Sequence, residues 1–100
     1  MEKEYGFLFM QLVLQNQQLA MMSMGKLKNP VSDKIERNLE FAKMSIDTLD
    51  MLAAKTKGNL SEYEEKFLTE VIKDLKLNYV DEANKEPKIE EKKSEEAENN

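Results

Sequence analysis

Cysteine and histidine are both missing from this 100-residue chain. Their absence removes disulfides, thiolate nucleophiles, imidazole acid–base chemistry and ordinary zinc sites. Only carboxylates, lysines and hydroxyls remain for any catalysis, and no convergent acid–base pair stands out among them. We therefore expect no enzyme, no cofactor, and no catalytic or metal site. Positive charge is also in short supply. Residues 1–80 carry twelve acids and eleven bases, a net −1, and residues 81–100 carry eight acids and four bases, a net −4. Neither segment offers the positive field that phosphate backbones require, so nucleic acid is not an expected partner.

Long apolar runs are lacking too. The most apolar stretch is FLFMQLVL, residues 7–14, and QNQQ follows at 15–18. A membrane-spanning helix needs about 20 mostly apolar residues, and consecutive amides in hydrocarbon are costly. A signal peptide carries a positive lead and a small-residue cleavage site, whereas this lead reads Met-Glu-Lys-Glu. The expectation is a cytoplasmic protein with no membrane span. Glycine (3) and proline (2) are rare, which leaves few places for the chain to turn.

What is plentiful is helix-forming: Met, Leu, Glu, Lys and Gln lose little rotamer freedom on a helix. The spacing predicts an all-α, three-helix protein with helices at about 3–24, 33–57 and 61–80. The second and third form a helical hairpin, and the first is an apolar N-terminal helix. Residues 1–80 make the helical domain. Residues 81–100 hold one Ile and no aromatics, too little apolar surface to offset ordering entropy, so a disordered acidic tail is expected there.

Helix boundaries follow from local signals. Gly25 ends the first helix and Pro30 blocks its continuation. Asp33 with Glu36 three residues later fits a reciprocal cap for the second helix. Ile35, Leu39, Ala42, Ile46, Leu49 and Ala53 then recur at spacings of 4 and 3, a heptad-type seam. The opposite face, including Lys34 and Arg37, is read as solvated. On the third helix Phe67, Leu68, Val71, Ile72, Leu75 and Tyr79 share one side.

The stretch KTKGNLSEYE, residues 55–64, superficially resembles a phosphate-binding loop. The nucleotide P-loop requires a strand before it and a Gly-Lys-Ser/Thr ending, and both are missing. Each residue has a local role instead. Lys55 and Lys57 suit the negative end of a helix dipole. Gly58 supplies a left-handed turn residue and Asn59 continues the bend. Ser61 and Glu64 form the capping box of the third helix. An anion at that helix start is disfavoured by Glu62, Glu64 and Glu65.

The first helix carries apolar residues nearly all the way round, and no charged residue lies between Tyr5 and Gly25. A helix of that kind is normally buried on every side. Two amphipathic helices cannot wrap it, so an apolar strip should remain available as an interface. The candidate interface residues are Phe7, Leu8, Met10, Leu12, Val13, Leu14, Gln17 and Met21. Buried amides can fix register between paired helices, and solvated amides are the equal alternative for QNQQ. A homodimer or higher homo-oligomer is expected, with an unknown protein partner as a further possibility. Methionines supply adaptable contacts in an adaptor or client-binding surface. A peripheral membrane role fits less well, because the polar positions hold Gln and Asn rather than Lys or Arg.

Residues 42–80 carry a more specific pattern: Ile46, Asp47, Leu49 and Leu52, then KTKGNL at 55–60, Glu64 in an acidic helix start, and a closing Tyr79-Val80. This pattern resembles a bacterial family catalogued as domain of unknown function 1844. The segment FLFMQLVLQNQQLAMMSMG fits the same family more loosely, so the resemblance spans about residues 1–80. It implies a small, all-helical, cytoplasmic bacterial protein, and it implies no activity.

Overall fold

In a computed structural model of the chain, which describes the backbone of residues 2–99 and the side chains of residues 4–85, three helices pack together. They are α1 (Glu2–Ser23), α2 (Leu39–Lys55) and α3 (Glu62–Asn99). The all-helical, three-element architecture agrees with the spacing of apolar residues along the sequence.

α1 stops where the sequence indicates. Gly25 has φ 81, a left-handed conformation that costs glycine nothing. Its N–H donates to Met22 O at 3.0 Å, and Lys26 N–H donates to Met21 O at 2.9 Å. This pair of bonds is the Schellman closure, which satisfies carbonyls left open at a helix end.

α2 begins later than the expected residue 33. Asp33 is not a cap; it sits in a turn at φ 57. Asn29 Oδ1 accepts from Val31 N–H at 2.8 Å, Asp33 N–H donates to Asn29 O, and Asn29 N–H donates to Lys34 O, both at 2.8 Å. The chain then runs extended beside the end of α1, where Met24 and Arg37 form a bridge and Asn38 N–H donates to Ser23 O at 2.8 Å. The cap is Asn38, whose side chain accepts from Phe41 N–H at 3.0 Å. Ile35, assigned to the seam by spacing, therefore lies outside the helix and is exposed. The rest of that seam points inward: Ala42, Ile46 and Leu49 are buried, and Leu39 and Ala53 pack against them.

The α2–α3 turn forms as its residues imply. Thr56 closes α2 through its N–H to Leu52 O, Gly58 takes φ 85, and Asn59 N–H donates to Thr56 O. Ser61 Oγ accepts from Glu64 N–H at 3.1 Å while Glu64 Oε1 accepts from Ser61 N–H at 2.8 Å. Both halves of the capping box are thus present.

α3 does not end at Val80. Residues 81–85, placed by composition in the tail, continue the helix, and Glu82 among them is buried. The side chains of the remaining tail residues, from 86 onward, lie outside the described residues.

Val13, Ala20 and Met24 of α1 and its end meet Ala42, Ile46 and Leu49 of α2 and Leu68, Val71, Ile72 and Leu75 of α3 in one core. Each fully buried leucine contributes roughly 1.5–3 kcal/mol of transfer free energy. Two contacts fix the direction of α1. Near its start, a Cβ on Gly6 would stand 2.7 Å from Glu64 Oε2, so the helix approaches the capping box of α3 closely. At its end, Arg37 bonds both Met24 O and Glu82. Gly6 to Met24 and Glu64 to Glu82 are equal intervals, so α1 and α3 run parallel with α2 returning between them, an up-down-up order.

Candidate interaction surface

α1 buries only a narrow stripe. Val13, Ala20 and Met24 are fully inaccessible, whereas Tyr5 (63% exposed), Phe7 (64%), Leu8 (60%), Leu12 (41%), Leu14 (42%) and Leu19 (39%) remain open. Single exposed apolar residues are normal, but six on one helix make this face a candidate interaction surface. The candidate interface residues separate accordingly. Phe7, Leu8, Leu12 and Leu14 are exposed; Met10, Gln17 and Met21 are half-buried; Val13 belongs to the intramolecular core. Met21 also packs against that core.

The open residues fall in rows. Tyr5, Leu8, Leu12, Gln15 and Leu19 are spaced 3, 4, 3 and 4, and all five are exposed. Gln11 and Gln18, also exposed, form an adjacent polar row, and Phe7 and Leu14 lie beyond it. The amides therefore divide. Gln15 and Gln18 are open, Gln17 is half-buried, and Asn16 Nδ2 donates back to Leu12 O at 3.0 Å.

An open cleft of about 870 Å³ lies between the start of α1 and the α2–α3 turn, lined by Tyr5, Phe9, Met10, Leu60, Tyr63 and Glu64 among others. Lys55 and Lys57 are not part of its wall, and Glu64 spends one oxygen on the Ser61 cap. Among the described residues the cleft presents no cation to an anion, and residues 55–64 act here as the bend between two helices. Among the described residues, no group of three or more carboxylates converges as a metal site, and no helix is long and apolar enough to cross a membrane.

One cluster escaped the sequence reading. Glu82, 5% exposed, receives Arg37 Nη1 on Oε1 and Lys85 Nζ on Oε2 at 3.0 Å, with Lys26 Nζ 3.4 Å away. Arg37 Nη2 also donates to Glu82 O at 2.9 Å, and Nη1 lies 3.5 Å from Met24 O. The hydrogen bond from Lys85 does most to hold the Glu82 carboxyl down at about 2; burial opposes it, and Arg37 and Lys26 reinforce it. Lys85 is shifted upward in return, chiefly by the same bond. Helical spacing alone places Arg37 on a solvated face, and composition places Glu82 in the tail. The signal that could have found them is compositional: Arg37 is the one arginine among fourteen lysines. Only the planar guanidinium fork can serve a carboxylate and two carbonyls together.

No curated protein and no solved structure matches the chain. The family described as domain of unknown function (DUF1844) matches residues 6–82, a span that runs from the close approach at Gly6 to the buried carboxylate at Glu82. Over three quarters of its length, the chain thus belongs to the family described as domain of unknown function (DUF1844).

Proposed function

We propose that this chain is a non-enzymatic cytoplasmic protein that self-associates through the outer face of α1. The observation that carries the reading is the exposed set Tyr5, Phe7, Leu8, Leu12, Leu14 and Leu19 on a helix with no charge between Tyr5 and Gly25. Removing such side chains from water is favourable by roughly 25 cal/mol per Å², and a domain of about 80 residues has little core of its own to spare. The absence of an enzyme is supported by chemistry. The strongly shifted acid, Glu82, is already bonded to Arg37 and Lys85 and is not poised to accept a substrate proton.

An adaptor or client-binding role for the same surface draws on the plasticity of Met10 and Met21, which are only half-buried. Membrane-surface binding is less well served, because the exposed polar positions of α1 hold Gln11, Gln15 and Gln18 rather than Lys or Arg.

Light scattering across a micromolar concentration series tests self-association. The wild type should be dimeric or larger, and Leu8→Glu should be monomeric with its helical circular dichroism retained. A wild type that stays monomeric throughout would overturn the reading.

A further inference from the structure

We infer that two copies pair α1 against α1 in parallel and in register, with Gln15 meeting its own counterpart; this rests on the self-association reading above. Two lines on α1 have heptad spacing. Phe7, Met10, Leu14, Gln17 and Met21 form one, but Met10, Gln17 and Met21 are half-buried against their own chain. Tyr5, Leu8, Leu12, Gln15 and Leu19 form the other, and every member is exposed. Alternating spacings of 3 and 4 keep a seam facing a partner helix along its length. The second line is therefore the seam left open.

The occupant is argued from chemistry. The seam is neutral, with Glu4 and Lys26 the nearest charges in sequence, so nothing on it selects a charged partner. Its one polar member, Gln15, carries both a donor and an acceptor, and an amide is complementary to another amide. A second copy supplies that amide without further requirement. Orientation follows from the same group. In a parallel pair Gln15 lies opposite Gln15, and each amide can donate to the other. In the antiparallel pair of greatest overlap, Leu8 lies opposite Leu19 and Gln15 lies opposite Leu12, leaving the amide without a partner as the interface closes.

The cysteine-free sequence permits a direct test, since any disulfide must come from an introduced thiol. Three variants are oxidised mildly: Gln15→Cys, Leu8→Cys and Leu19→Cys. Parallel pairing should give crosslinked dimers of Gln15→Cys and of Leu8→Cys, and no mixed dimer when Leu8→Cys is combined with Leu19→Cys. Should the thiol at position 15 unsettle the seam, Leu8→Cys alone still reports on register. A mixed 8–19 dimer, with neither single variant crosslinking to itself, would overturn the parallel arrangement while leaving self-association intact. A wild type that remains monomeric by light scattering would overturn both. Gln15→Leu should keep the assembly but lose the orientation, so that mixed 8–19 crosslinks appear in that background.

Discussion

Replacing Glu82 with glutamine tests whether the cluster at the top of the bundle holds the fold together. A carboxyl titrating at about 2 instead of 4.5 corresponds to about 3 kcal/mol at full strength. Its cations stand partly in water, with side-chain exposures of 60% for Lys85, 32% for Arg37 and 29% for Lys26, so screening reduces this to about 1–2 kcal/mol. Glu82→Gln keeps the shape and loses the charge, and it should lower stability by that amount at neutral pH. For a domain of this size, each 1 kcal/mol moves Tm by about 4–8 °C. The pH dependence has a definite sign. Between pH 4.5 and 2 the unfolded carboxyl binds a proton that the folded one does not, so stability rises with pH across this window. The contribution is complete above pH 4.5 and is lost as pH falls through 2. Urea denaturation of both proteins, at one fixed concentration so that association does not intrude, should show a constant gap from pH 5 to 7 that narrows at pH 3. Equal stability at pH 7, or a gap unchanged at the lowest pH, would refute the assignment.

Arg37→Lys keeps the charge but not the fork, and should cost nearly as much as Arg37→Ala in the same denaturation assay, because the carbonyls of Met24 and Glu82 lose their shared donor. Asn38→Ala should cost about 1 kcal/mol by loss of the α2 cap, whereas Asp33→Ala should leave helical circular dichroism unchanged. Leu49→Ala, at a fully buried position, should cost about 2–5 kcal/mol by thermal unfolding. Gly58→Ala meets no neighbouring atom but must hold φ 85, and should cost about 1–2 kcal/mol.

Local chemistry made most of this fold legible. Gly25, Gly58, Ser61 and Glu64 act within one turn of themselves, and each does in the structure what its neighbours in sequence imply. The seam from Leu39 to Ala53 and the stripe from Phe67 to Tyr79 were equally readable, since helical period decides both. The failures are non-local. Asp33 and Asn38 are both competent caps, and what selects Asn38 is the pairing of residues 37 and 38 with the end of α1. What retains residues 81–85 in the helix is coupled to Arg37, 45 positions away in sequence. Composition singles out Arg37 as the one arginine but not its partner, because Glu82 stands among charges that resemble any solvated tail. The apolar excess of α1 was visible, but which of its rows stays open was not, since that depends on how the core rotates the helix.

That rotation bears on how the surface can work. α1 is held at its start by the approach of Gly6 to Glu64 and at its end by the Gly25 closure and the Arg37–Glu82 bonds. Between these anchors only three side chains, Val13, Ala20 and Met24, enter the fully buried core. A helix fixed at both ends on a narrow stripe presents its wide outer face in one orientation, without spending entropy to order it on association. Changes on the outer row should therefore act on assembly and spare the monomer. Changes to the Arg37–Glu82 cluster should loosen α1 itself, and so weaken folding and assembly together. If the two classes of variant moved both properties in the same proportion, α1 would not be an independently held surface, and its exposed leucines would belong to the stability of the monomer.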